Sequence, residues 1–184
     1  MKAATLVNCG EMGAARVLTP FVYGLSGHRP LGNDRITSNM PVEIRLLRIG
    51  DDTTLTRVAP DVFDGPVDSC WTAEFLADAR HHLVVALDAE CVVGMASAVH
   101  YVHPDKPADL WVNEVGVAAT HRGQGIARRL VDALLEHGRT LGCREAWVLT
   151  EETNSIARRL YSGAGGVESQ ALMYTFQLDT DGST

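Results

Sequence analysis

The sequence predicts an α/β (α+β) domain built on one mixed sheet with helices on both faces. Three observations carry this. Strand-like and helix-like stretches follow one another in the order β-α-α-β-β-β-α-β-α-β, a pattern that layers helices against a sheet. Two of the apolar runs are separated only by Asp88-Ala-Glu90, so they form a hairpin. A glycine-bearing turn, His121-Arg-Gly-Gln-Gly-Ile-Ala127, joins a buried strand to an amphipathic helix.

The elements read in order as follows. Val42-Glu-Ile-Arg-Leu-Leu-Arg48 is a strand, and Leu55 to Phe63 a short helix closed by a Gly65-Pro66 turn. Trp71-Thr-Ala-Glu-Phe-Leu-Ala77 is a second helix. Leu83-Val-Val-Ala-Leu87 and Cys91 to Val102 are the hairpin strands, followed by the loop His103-Pro-Asp-Lys-Pro107 and the strand Leu110 to Val117. From Gly125 the helical period puts Ile126, Leu130, Leu134 and His137 on one stripe, with Val131 and Leu135 beside it. Gly138 and Gly142 bracket its end. Glu145 to Thr150 is a strand. Asn154 caps a last helix with Ile156, Leu160 and Ala164 on one side and Ala157 and Tyr161 beside them. Gly163-Ala-Gly-Gly166 stops it, and Gln170 to Leu178 is a closing strand. No internal repeat is present.

Residues 1–39 differ in composition: rich in Gly, with Pro20 and Pro30 and only short apolar runs. We therefore read 1–39 as a partly disordered extension and 40–184 as the domain. An ordered arm packing on the domain or on a partner subunit is the competing idea. A chain of 184 residues fits one domain, and 46% apolar residues suffice for a core. No run approaches the roughly 18 apolar residues of a membrane span, and the N-terminus lacks the apolar region of a secretory signal. The four cysteines include no C-x-x-C pair, so no zinc site is indicated, and their scatter suits a cytoplasmic location. The net charge of −7 disfavours nucleic acid and favours cationic ligands, with solubility alone as the plainer reading.

The turn at 121–127 is the sharpest chemical signal. A helix N-terminus offers unpaired N–H groups and partial positive charge, which suit phosphate, and Gly123 and Gly125 allow close approach. Arg122, Arg128 and Arg129 add cationic donors. The plainer reading is a glycine-rich connection. No Gly-Lys-Ser/Thr follows, which excludes a P-loop, and Arg at 128 speaks against a dinucleotide fingerprint. His81 and His82 are adjacent on a strand and point apart. His100 and His103 flank a loop end, and no third ligand stands at metal spacing, so no metal is assigned. Trp71, Trp111 and Trp147 read as core aromatics in preference to a substrate shelf. Cys143 has no companion that would make it a nucleophile.

Arg122, Gly125 and Ala127 match the Arg/Gln-x-x-Gly-x-Gly/Ala motif, and Asn154, Ala157, Leu160 and Tyr161 match an Asn-x-x-Ala-x-x-Leu-Tyr run. On these residues the chain, from about Val42 to Asp179, resembles the GNAT superfamily of N-acetyltransferases. The resemblance implies a GNAT fold, with a mixed sheet of about six to seven strands flanked by about four helices. It implies acetyl-coenzyme A as co-substrate. The pyrophosphate would lie on the N–H groups of Arg122, Gly123, Gln124, Gly125, Ile126 and Ala127. The pantetheine arm would enter between the splayed fourth and fifth strands, beside Val115, Gly116 and Val117, with Asn154 and Ala157 toward the cofactor. Tyr161 would meet the sulfur and protonate the departing thiolate. Glu114 interrupts an apolar strand, where a carboxylate needs a purpose or a partner, and is the general base of choice. Its plainer reading is a Glu facing solvent.

A closer resemblance is to the GNAT-type aminoglycoside 3-N-acetyltransferases of gentamicin resistance. It rests on Val93-Gly94, Ala98, Tyr101-Val102, Pro104, Pro107, Val112 with Glu114, Glu151, and Met173 with Phe176-Gln-Leu-Asp179. The chain departs from that pattern with Glu at 114, where the family has Asp, and Asn at 154, where it has an acid. The resemblance implies acetylation of an aminoglycoside on its 3-amino group, with Glu114, Glu151 and Glu152 holding the cationic substrate, and a homodimer. Asp64, Asp68, Asp105 and Asp109 sit on nearby loops and read singly as ordinary solvated charges. The alternatives are acetylation of another amine, such as a protein N-terminus or polyamine, a non-catalytic coenzyme A sensor, and a structural or interaction module, which would not require both motifs. Glu114 and Tyr161 speak against the sensor.

Overall fold

The longest strand, β3 (Cys91–Tyr101), is almost wholly small or apolar and forms the middle of a five-stranded sheet. The structure, a computed structural model, describes residues 41–178. β1 (Glu43–Leu46), β2 (His81–Asp88), β3, β4 (Asp109–Val117) and β5 (Ala146–Val148) lie side by side in chain order. The first three junctions are antiparallel and β4–β5 is parallel. A parallel pair needs a long crossover, and α2 (Ile126–Thr140) supplies it. α1 (Ser69–Ala77) starts at Asp68, whose carboxylate accepts from the amides of Cys70 and Trp71 at 2.8 and 3.0 Å. α3 (Ser155–Gly163) starts at Asn154, whose side chain accepts from the Ala157 amide at 3.1 Å.

Leu83 to Leu87 are all buried, as a strand covered on both faces should be. α2 covers one face with Ile126, Leu130 and Leu134. It sits close because Gly94 lies beneath it: a Cβ there would stand 3.2 Å from Leu130 Cδ1 and 3.3 Å from Ile126 Cγ2. Truncating Leu130, fully buried, to Ala costs roughly 2–5 kcal/mol by the usual cavity argument. On the other face, a Cβ on Gly116 would stand 2.1 Å from the Val62 carbonyl oxygen, so only glycine fits.

The same α2 face holds a chain of histidines. His82 Nε2 lies 2.8 Å from His100 Nδ1, and His82 Nδ1 lies 3.0 Å from His137 Nε2. Burial, followed by the neighbouring imidazoles His137, His100 and His81, pushes His82 down to about 4. Burial also lowers His137, with Arg48 and then His100 adding to the effect.

Three sequence expectations are corrected. The sheet has five strands among the described residues, not six to seven, and three α-helices, not four. The segment Leu55–Phe63 is not a helix. A 3-10 turn covers Asp52–Thr56, and the chain then extends beside β3, with Ala59 N bonded to Val92 O and Val92 N to Arg57 O. Pro60 has no N–H to continue a helix, and Asp61 takes φ +63°. Gln170–Leu178 has strand-like alternation but no ladder. Leu172, Tyr174, Phe176 and Leu178 stand exposed, because a period-2 pattern supplies a face without supplying a neighbouring strand. The extension 1–39, Met40 and Asp179 onward lie outside the described residues. No helix among the described residues is long and apolar enough to cross a membrane.

Candidate active site

β4 is the strand on which the site is built. It pairs with β5 only through Leu110↔Ala146, Trp111↔Trp147 and Val112↔Val148. On its other edge the register slips: Ala98 faces Val112 and Ser97 faces Glu114, so Asn113 is an extra residue without a partner. Such a bulge bends a strand and sharpens its twist. β4 then continues to Val117 bonded to β3 alone, and a cleft opens between β4 and β5. Val115, Gly116 and Val117 pair with Ala96, Met95 and Gly94 on one side and border this cleft on the other.

The bulge also settles where Glu114 points. Gly94 faces α2, so Met95 and Ser97 face away from it, and so do their partners Gly116 and Glu114. Trp111, opposite Val99, shares that face. Glu114 is half-buried, and its carboxyl is raised above the ordinary range, first by burial and then by the nearby Asp64 carboxylate. Tyr161 comes from the other side. It lines a small cavity of about 70 Å³ with Val112, Val131, Leu135 and Val148, and burial raises its hydroxyl. Glu114 and Tyr161 thus stand on opposite faces of the sheet beside the split.

Beyond Val117 the chain makes a 3-10 turn, Ala119–His121, held to the β2–β3 hairpin by His121 Nε2 and Asp88 Oδ2 at 3.2 Å. Gly123 and Gly125 both adopt φ +75°, and Gly125 is the left-handed cap of α2. A Cβ at either would meet nothing within 4 Å, so backbone conformation and open approach, not crowding, call for glycine here. The amides of Gly123, Gln124 and Gly125 have no backbone acceptor among the described residues. Those of Ile126 and Ala127 open the helix, where N–H groups lack an intrahelical partner. These donors converge at a helix N-terminus and suit a pyrophosphate.

Not every expected cation serves this turn. Arg122 Nε donates to the Val117 carbonyl at 3.1 Å. Arg128 grips Asp132 with Nε at 2.8 Å and the Gly163 carbonyl with Nη1, and Arg129 donates to the Val42 carbonyl at 2.8 Å. The last two fasten α2 to α3 and to the residue just before β1. Asn154 spends its carbonyl oxygen on the α3 cap, which leaves its NH₂ group, and Ala157 is half-buried beside it. Glu151 and Glu152 are exposed on the loop leaving β5, where Glu151 accepts a 3.4 Å bond from Thr153.

Of the loop acids, Asp64 is the one whose charge reaches Glu114. Sequence reasoning missed an aromatic strip: the Trp111 and Trp147 rings stack with centroids 5.0 Å apart and planes 11° from parallel, and Tyr101 lies 6.3 Å from Trp147. Trp147 is 39% exposed and Trp71 is 74% exposed, so neither is the core residue expected. No cluster among the described residues could hold a metal ion.

A model of the Acetyltransferase (GNAT) family matches residues 52–165. An uncharacterized protein of Mycobacterium leprae (strain TN) is 28% identical over 141 residues, which are 74% of this chain and 38% of that protein. Among solved structures, the fold is similar to an aminoglycoside acetyltransferase from an uncultured soil metagenomic sample in complex with sisomicin. The TM-score is 0.66 at 18% identity, covering 75% of this chain and 97% of that one. It is also similar to AAC(6')-Iy in complex with a bisubstrate analog, with a TM-score of 0.62 at 20% identity, covering 74% and 97%. The chain spans 38% and 35% of the length of the curated relatives it matches.

Proposed function

Because the chain belongs to the Acetyltransferase (GNAT) family, we propose that it transfers the acetyl group of acetyl-coenzyme A to an amino group of an aminoglycoside. The observation that carries the reading is the split between β4 and β5, with Glu114 on one face of it and Tyr161 toward the other. The cofactor supplies a thioester, whose carbonyl carbon accepts the amine nitrogen while its C–S bond breaks. Residues 122–127 hold the pyrophosphate by backbone N–H groups, and Val115, Gly116 and Val117 bond the pantetheine arm along the free edge of β4. Asn154 and Ala157 flank the arm from α3.

Glu114 takes a proton from the substrate ammonium and frees the nitrogen lone pair. The Tyr161 hydroxyl donates to the departing thiolate, and the second nitrogen proton restores the tyrosine. In net terms one proton leaves through Glu114. Glu114, Glu151 and Glu152, with the −7 charge of the chain, favour a polycationic acceptor. Within the aminoglycosides, the residues shared with gentamicin-resistance enzymes point to the 3-amino group.

The purified full chain, given acetyl-coenzyme A and a panel of aminoglycosides, peptides and polyamines, should acetylate gentamicin-type drugs with the highest kcat/KM. NMR of the product should place the acetyl group on the 3-nitrogen. Acetylation of peptides or polyamines and of no aminoglycoside would refute the acceptor; a product acetylated on the 6′-amine would correct only the position.

A further inference from the structure

We infer that Trp111 and Trp147 form a stacking shelf for the acceptor, and that the shelf selects a cationic ring over a flexible chain. This deepens the proposed aminoglycoside reading and rests on it. The two side chains come from neighbouring strands at paired positions, Trp111↔Trp147, so their rings lie one beside the other on one face of the sheet. That face is the one Glu114 occupies. Trp111 opposes Val99 on β3 and Glu114 opposes Ser97, two residues further along the same strand, so the shelf begins one same-face position from the base.

Two indoles stacked 11° from parallel and still 39% exposed at Trp147 leave an aromatic surface facing water. Tyr101, tilted 47° to Trp147, extends the surface away from Glu114. An aromatic face attracts an ammonium group through its ring quadrupole, and the apolar side of a sugar ring lies flat on it. The carboxylates of Glu114 and Asp64 at the near end add charge of the matching sign. A rigid ring bearing several ammonium groups can meet the shelf and present one amine to Glu114 together. A linear polyamine gains the charge attraction but has no flat apolar face to place.

The test is steady-state kinetics and fluorescence on the full chain, with sisomicin as the ring amine, spermidine as the linear one, and Trp147→Ala, Trp147→Phe and Trp71→Phe variants. Trp147→Ala should raise KM for sisomicin roughly tenfold, in the range of a partly desolvated cation–π contact, with kcat changing less. KM for spermidine should change by less than about twofold, and Trp147→Phe should recover most of the affinity. Titration with sisomicin should quench indole fluorescence in the wild type and in Trp71→Phe, which alters an exposed residue of α1, and much less in Trp147→Phe. Equal KM shifts for both amines, or an unchanged sisomicin titration in a folded Trp147→Ala protein, would overturn the shelf. A wild-type protein that acetylates neither amine yet quenches with sisomicin refutes the proposed reaction and leaves the shelf standing.

Discussion

A carboxylate that takes a proton from an ammonium, the role proposed for Glu114, works better when its own hold on protons is raised, and burial and Asp64 raise that of Glu114. Glu114→Gln should lower kcat/KM by roughly 10²–10⁴ at neutral pH, with a smaller loss at high pH where more of the amine is neutral. Because the folded pKa is raised, the wild-type rate should fall as pH drops through it, and Asp64→Asn should move that limb to lower pH. Unmoved pH–rate profiles would remove Asp64 from the account. His82 gives the opposite experiment, in stability. Its folded pKa of about 4 lies below the ordinary 6.5, so between those values the unfolded chain binds a proton that the native chain does not. Stability contributed by neutral His82 is therefore full above about pH 6.5 and is lost as pH falls toward 4; lowering of His137 acts in the same direction. Melting temperature should decline between pH 7 and pH 5, and a flat profile would show that the histidine chain takes up a proton without loss. Glu114 was legible as an acid in an apolar strand. The histidine chain was not, because its three members come from β2, β3 and α2, and spacing along the sequence carries no sign of their meeting.

Among the elements, the turn before α2 is the one proposed to hold the cofactor's pyrophosphate. Valine at 125 is β-branched and would be forced to φ +75°, a strain of about 1–3 kcal/mol, and its side chain would stand in the open space before the free amides. Calorimetric titration with coenzyme A should show a dissociation constant for Gly125→Val at least about tenfold above wild type. An unchanged constant in a folded variant would remove the turn from the site. This turn and α2 were legible because glycine spacing and the Ile126, Leu130, Leu134 stripe are local signals. β2, β3 and β4 were legible as apolar runs with short connections. Leu55–Phe63 misled because its apolar spacing is helix-like, while its backbone is taken up by Val92 across the sheet. The Trp111–Trp147 stack depends on the register of two strands separated by the whole of α2, and composition cannot report a register.

At the scale of the molecule, four junctions tie five strands together, and the last is far shorter than β4 allows. Three residue pairs join β4 to β5, although β4 is nine residues long. The interruption coincides with one residue, Asn113, which directly follows the last pair, Val112↔Val148. Deleting Asn113 would leave Val112 opposite Ala98 and Glu114 opposite Ser97, so every side chain would keep its face while the bend disappeared. The straightened strand could then go on bonding to the chain beyond Val148, each new backbone bond contributing about 0.5–1.5 kcal/mol net. The Asn113 deletion should therefore melt at a higher temperature and bind coenzyme A poorly, and a deletion that binds it normally would show that the opening has another origin. The wild-type protein forgoes those bonds: its sheet is a zipper halted partway by a single extra tooth, and in the proposed reaction the bonds left unmade are the doorway through which a thioester passes from one side of the sheet to meet an amine on the other.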